Sequence, residues 1–254
     1  MKHDRDEGPG ETMGTRASDD PAILQLERKR ELALAYRLFA AFRWGDLGDG
    51  HITARDPHRT ECFWVLRSGL SFHRATIDDL VLVDPAGEPV GSGTAYNRTA
   101  HHIHWPIHEA RPDVVAAAHT HTGWGTPFST ERRLIEPITQ EACMFHDDHS
   151  LFDDEEVQVL SIDGGKRIAA ALGDNSSVIL ANHGLLTTGP GVAEAVGAFV
   201  TMERVCEAAL KAAGARPISA ESAATAKADL RVPATFRDAF WALVDRPLSD
   251  ASVG

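Results

Sequence analysis

The stretch VVAAAHTHTGWGTP, residues 114–127, runs five apolar residues into His-Thr-His and then into a glycine-bearing turn. Residues i and i+2 of a strand leave the same face, about 7 Å apart along the backbone. His119 and His121 can therefore turn two imidazoles toward one ion. The plain alternative is a strand that has run out of the core. A second stretch weighs on the choice. VILANHGLL, residues 178–186, also ends an apolar run in a histidine, His183, and a glycine follows it. Glycine there lets backbone and ligand approach closely. Two strand ends of one pattern suggest a shared rim of a sheet. Three neutral imidazoles leave at least one position open on an ion, which is the catalytic rather than the structural arrangement.

Outward from these stretches, helix and strand signals interleave. Asp20 and Pro21 start a helix that stops before Gly45, with Leu34, Leu38, Phe39 and Phe42 on one stripe. Short strand patterns follow at 51–55, 62–66 and 80–84, separated by turn signals such as DPAG. A helix is expected over 99–110 with a weak point at Pro106, and strands over 114–121, 156–162 and 176–184. Helices are expected over 165–172 and 191–213, and a short one within 234–246. The interleaving gives an α/β class around one sheet. Residues 1–18 are polar and aperiodic and are expected to be a disordered tail. The domain is expected over 19–215, with a C-terminal extension over 216–254.

The composition limits the partners. The 254 residues carry a formal charge of −12, which argues against a nucleic-acid partner. Three widely spaced cysteines form no CxxC, so a reducing compartment is expected, cytoplasmic by default. The N-terminus has no apolar run of a secretory signal, and no run approaches the roughly 18 apolar residues of a membrane helix.

GDGHITARDP, IHWPIHEARPDVVAAAHTHTGWGTPFS and LANHGLLTTG, in that order, resemble the signature segments of the class II aldolase/adducin superfamily. The resemblance covers about residues 25–213, and ARPDVVAAAHTHT and NHGLLTTG are its specific part. It implies a single three-layer α/β/α domain with a central mixed sheet. It also implies one divalent metal ion per chain (Zn, Fe or Mn) on His119, His121 and His183. A cyclic homotetramer with active sites at subunit interfaces is implied as well.

The departures from the resemblance matter equally. Sugar-phosphate aldolases of the family carry a glutamate four residues before a histidine, as metal ligand and proton carrier. In NRTAHHIH, Ala100 stands at that place. Their phosphate-binding Gly-Asn-x-Ser is here Gly50-His51-Ile52-Thr53, and their Ser-Ser pair falls at Arg98-Thr99 or Thr99-Ala100. Their interface tyrosine has no clear counterpart.

Other polar groups stand as candidates. His101 and His102, beside the missing acid, are candidates for metal contact or proton transfer, because histidine titrates in the useful range. His51 takes the place of the phosphate-binding Asn. His104 resembles a histidine common in the family, with a ligand-shell or structural use. His108, four residues on, is expected to pack or lie at the surface. In QEACMFHDDHS, Gln140 is a substrate-binding candidate and Glu141 a catalytic one; His146, also a catalytic candidate, and His149 are candidates to come close to a neighbouring subunit's metal. Arg55, Arg67 and Arg98 are candidates for a bidentate grip on a substrate carboxylate. Trp44, Trp64, Trp105 and Trp124 are candidates for an aromatic wall, with core packing the simpler role.

The expected function is a divalent-metal carbon–carbon lyase, of decarboxylase or aldolase type. Its substrate would be a small non-phosphorylated molecule bearing a carboxylate, with aromatic acids among the candidates. A non-haem iron oxygenase is the alternative, since imidazole suits several metals. An adducin-like assembly module without activity is a third reading, and it predicts loss of the three histidines.

Overall fold

A computed structural model describes residues 20–245 apart from 46, 92, 155, 213 and 233, so the tail expected at 1–18 lies outside the described residues. The chain order is α1 (Pro21–Ala41), β1 (His51–Arg55), β2 (Phe63–Leu66), β3 (Leu80–Val83), α2 (Arg98–Ala110), β4 (Ala116–Thr120) and α3 (Gly125–Ser129). Then follow β5 (His149–Phe152), α4 (Ile162–Leu172), β6 (Ser177–Leu180), β7 (Gly184–Gly189), α5 (Val192–Lys211), α6 (Ala220–Leu230) and α7 (Thr235–Val244). The strands make one sheet in the order β3-β2-β1-β4-β7-β6-β5. Only β5 and β6 run parallel, so the sheet is mixed, as expected.

Both faces of the sheet are covered, which is why its central strands read as continuous apolar runs. Ile52, Ala54, Ala116, Ala118, Ile179 and Leu185 join one core with α1, α5 and α7. Val178, Leu180 and Leu186 join a second core with α2 and α4. The alternation of Ile179 with Val178 and Leu180 is the period-2 rule at work. It also places the polar residues. With Ile52, Ala54, Ala116 and Ala118 in the first core, His51, Thr53 and His119 face α2.

Helix α2 continues through Pro106, although proline cannot bond to the carbonyl of His102 four residues back. Gly165 of α4 lies against that carbonyl: a Cβ there would sit 1.8 Å from the His102 oxygen. The two helices approach closely because this position has no side chain.

Three expectations are corrected. Residues 156–162 are not a strand; Ser161 caps α4 and accepts from the Gly164 N–H at 3.1 Å. The Val157/Val159 alternation has another cause. Val159 is buried at 2% while Val157 is 49% exposed, as in a segment laid over an opening. The strand that fills the sheet edge is β5, which ends in buried Phe152. The second correction is β7. His183 does not end a strand but sits in the tight turn joining β6 to β7, with Asn182 at φ 58°. The C-terminal region holds two helices rather than one.

Candidate active site

Strand β4 pairs with β1 so that His119 stands opposite His51, and with β7 so that His119 stands opposite Leu186. Gly50, just before β1, has φ +89°, and a Cβ on it would fall 2.4 Å from Thr120 and 2.7 Å from the His119 carbonyl. The backbone here is as close as it can come, and only glycine permits it. His119 is buried in this seam, His121 lies one residue past β4 and is exposed, and His183 enters from the β6–β7 turn.

The three rings converge. Their centroids lie 5.6 Å apart for His119–His121, 4.8 Å for His119–His183 and 5.0 Å for His121–His183. One nitrogen from each falls within 4.8 Å of the others. His119 Nδ1 lies 2.8 Å from the Leu185 carbonyl, which can only accept, so Nδ1 carries the proton and Nε2 keeps its lone pair. Asp49 Oδ2 lies 3.6 Å from His121 Nδ1, on the side that would leave His121 Nε2 for an ion. Burial, with His183 and His51 nearby, holds His119 well below the ordinary histidine range. Burial and His121 push His183 down to about 4. Both are therefore neutral near pH 7, the form in which imidazole ligates. The donor set, its tautomer and its protonation all fit a divalent ion.

The histidines line a cavity of about 530 Å³, with Asp49, His51, Asn97, Thr99, Thr126 and Asn182 among its other walls. Val157, Gln158 and Val159 close one side. No Lys or Arg lines it among the described residues. An adjoining cavity of about 410 Å³ shares Gly50, His51 and Asn97 and adds Arg67, Ser68 and Arg98.

A sequence profile for the class II aldolase and adducin N-terminal domain matches residues 30–210. The chain belongs to this family. A relative from Streptomyces roseochromogenus subsp. oscitans, a 4-hydroxy-3-prenylphenylpyruvate oxygenase/4-hydroxy-3-prenylbenzoate synthase, is 39% identical over 196 residues, 75% of this chain and 71% of its own. Decarboxylase NovR of Streptomyces niveus is 38% identical over 182 residues, 71% and 67% of the two chains. The structure of an L-fuculose 1-phosphate aldolase from Glaciozyma antarctica superposes with TM-score 0.79 at 31% identity, covering 90% of this chain and 91% of its own.

Within this class II aldolase domain, the other sequence candidates are placed as follows. Buried His51 meets the cavity. His101 turns its Nε2 to the Pro85 carbonyl at 3.0 Å, and neither it nor His102 lines the cavity. The Nδ1 of His102 is buried with no hydrogen-bond partner among the described residues. Ala100 belongs to the cluster of Phe63, Val65 and Trp105, while Thr99 and Ile103 are what α2 presents to the cavity. Arg55 is spent on the carbonyls of Val114, Thr60, His108 and Arg111, outside both cavities. Arg67 and Arg98 border the adjoining cavity, paired with Asp79 at 2.9 Å and Glu88 at 3.1 Å.

Gln140 and Glu141 are exposed, and they and His146 lie outside the cavity of their own chain. His149 is tied by Nδ1 to the Phe145 carbonyl and by Nε2 to the Ile135 N–H. Trp64 donates to Asp56, Trp44 packs on Phe39 and Phe199, Trp105 joins the Phe63 cluster, and Trp124 precedes α3. None of these four tryptophans lines the cavity of the three histidines.

Sequence reasoning missed Asp49 and Glu203. The carboxylate of Glu203 is buried in α5 and accepts from Thr122 Oγ1 at 2.6 Å, Trp124 N at 2.9 Å and Gly125 N at 2.6 Å. It thereby fixes the turn that begins at His121. The signal existed: Glu203 falls on the apolar stripe of Val196, Phe199, Val200 and Cys206, where an acid requires a partner.

Proposed function

We propose that this class II aldolase family member is a divalent-metal-dependent carbon–carbon lyase acting on a non-phosphorylated, carboxylate-bearing substrate. The observation that carries the reading is the convergence of His119, His121 and His183 on one cavity, within 4.8 Å of one another. These three side chains would hold the ion. A bound divalent ion supplies Lewis-acid stabilisation of the charge that develops beside the breaking carbon–carbon bond. His51, Asn97, Thr99 and Asn182 orient the substrate from the walls.

Arg67 and Arg98 reach a substrate carboxylate in the adjoining cavity. Each already faces a carboxylate of its own. With both guanidinium groups already paired, little positive charge remains to hold a phosphate dianion, and a singly charged carboxylate asks for less. This argues against the substrate named for the fuculose-phosphate aldolase relative, despite the shared fold. A decarboxylase and an oxygenase of a phenylpyruvate among the relatives favour an aromatic 2-oxo acid as the substrate class.

The same relatives favour one second reading, oxidative decarboxylation with iron, because three imidazoles also suit that metal. The test is protein purified anaerobically without an affinity tag, its metal quantified, then incubated with aryl 2-oxo acids. Carbon dioxide release without oxygen uptake supports the lyase. Stoichiometric oxygen uptake by an iron-loaded sample selects the oxygenase. Full turnover by protein stripped of metal would overturn both.

A further inference from the structure

Strand β1 and helix α2 place four polar side chains between them in a buried layer. Thr53 and His51 are two apart on the strand and share a face; His104 and His108 are four apart on the helix and share a face. All four are buried, at 2% exposure or less. They form one line of hydrogen bonds. His108 Nδ1 lies 3.3 Å from the Val114 carbonyl, and His108 Nε2 lies 3.0 Å from Thr53 Oγ1. Thr53 Oγ1 lies 2.8 Å from His104 Nδ1, and His104 Nε2 lies 3.0 Å from His51 Nδ1.

The direction of the line follows from proton bookkeeping. A neutral imidazole has one N–H and one lone pair, and a hydroxyl has one proton to give. The Val114 carbonyl only accepts, so His108 donates to it from Nδ1 and accepts at Nε2. The acceptor at Nε2 takes the Thr53 hydroxyl proton. The Thr53 oxygen then accepts from His104 Nδ1, and His104 Nε2 accepts from His51 Nδ1. His51 is left with a bare lone pair at Nε2, the ring nitrogen with no protein partner among the described residues. His51 lines both cavities.

Reversing the line would either turn a bare His108 Nδ1 lone pair against the Val114 carbonyl, lone pair to lone pair, or need an extra proton there, and the surroundings oppose that proton. Burial, then the Arg55 guanidinium, push His108 down to about 3. Arg55 Nε also donates to the Val114 carbonyl at 3.1 Å. The inner end is buried and, among the described residues, has no proton acceptor beyond that carbonyl, so the line orients His51 rather than conducting protons.

We propose that His51 is a specificity residue whose fixed, acceptor-only Nε2 selects a substrate hydroxyl donor at the metal cavity, and that His104, Thr53 and His108 are the positioning residues that set this polarity. This deepens the lyase reading and rests on it for the identity of the cavity. It narrows the substrate class to carboxylates that carry a hydroxyl, as the free acid itself or as the enol form of a 2-oxo acid. An oxyanion at the same spot would meet a lone pair and be repelled.

Neutron diffraction from deuterium-exchanged crystals of the full chain at neutral pH reads the polarity directly. The expected result is a deuteron on Nδ1 of His51, His104 and His108 and none on Nε2 of His51. A deuteron on His51 Nε2 overturns the proposal and leaves the lyase reading intact. The second arm is calorimetric titration of zinc-loaded protein with glycolate and with methoxyacetate, which lacks the hydroxyl proton. Glycolate should bind about tenfold tighter, the scale of one hydrogen bond lost with its buried partner unpaired. Thr53→Val should erase most of that preference and Thr53→Ser should restore it, while all three proteins still take up one zinc. Equal preference in the wild type and Thr53→Val would also overturn the proposal. Neither arm reads turnover, so a failed lyase assay is a separate outcome.

Discussion

The Nδ1 of His119 donates to the Leu185 carbonyl across the β4–β7 pair at 2.8 Å, so the ligand and the strand that carries His183's turn are tied together by one bond. The three-histidine site is thus held by sheet pairing. Replacing His183 with Ala should cut zinc affinity by at least about tenfold, within the range seen when a metal-site contact is lost. The far-ultraviolet circular dichroism should stay native, because two cores pack without the ion. Zinc should raise the melting temperature of the wild type but not of the variant. One tightly bound zinc per chain in His183→Ala would mean the triad is wrongly assigned.

Glu203 offers a test of the turn behind His121. Burial raises its carboxyl pKa, against the pull of the hydrogen bonds from Thr122, Trp124 and Gly125. Glu203→Gln keeps the size but sets an amide N–H₂ among donors. The variant should lose about 1–3 kcal/mol in chemical denaturation, the cost of unpaired buried groups. An unchanged midpoint would show that the turn holds itself.

Glu31 of α1 gives a pH signature. Burial, then Glu194 and Glu27, push its carboxyl up to about 7. The folded protein therefore keeps a proton that the unfolded chain releases near pH 4.5. Stability from this group is greatest below that value and is lost as pH rises toward 7. Glu31→Gln should match the wild type at pH 4.5 and be more stable above pH 7, by up to about 3 kcal/mol. Equal melting differences at both ends of that window would remove the effect.

Sugar phosphates should be poor substrates. α2 presents Thr99 and Ile103, not an acid, to the cavity of the three histidines, and no Lys or Arg lines it among the described residues. Turnover of L-fuculose 1-phosphate with kcat/KM at or above about 10⁴ M⁻¹s⁻¹, an ordinary enzyme value, would contradict this.

The chain should assemble. Phe42, Trp44, Trp124 and Leu243 border an open cavity of about 730 Å³ together with Arg43, Arg204 and Glu207, a surface of apolar and charged groups suited to a second copy. Light scattering at micromolar concentration should give about 110 kDa, four chains of 27.5 kDa. A 27.5 kDa species would exclude a tetramer.

The sheet and the triad were legible because their signals are local. Five apolar residues before His119 announce a buried strand, and HxH needs no partner to be noticed. What escaped depends on partners. β7 was hidden because GLLTTG begins directly after the His183 turn, so one apolar run contains two strands. Residues 156–162 imitate a strand because Val157 and Val159 alternate with Glu156 and Gln158 in the sequence, yet of these seven residues only Val159 is buried. The use of His104 and His108 could not be read from α2 alone. Their spacing shows a shared face, but only the β1–α2 packing reveals that Thr53 lies between them.

The register that sets His51 opposite His119 has a consequence for how this scaffold can diversify. Directly opposed residues of antiparallel strands keep Cα atoms about 4.5–5.5 Å apart, a length dictated by peptide geometry and indifferent to side chains. With Gly50 already pressed against β4, that gauge cannot be shortened. The gap between the innermost ligand and the wall beside it is thus a constant of the architecture. New chemistry on it must come from the movable margins: the His183 turn, the segment at 157–159 and the α2 positions that look inward.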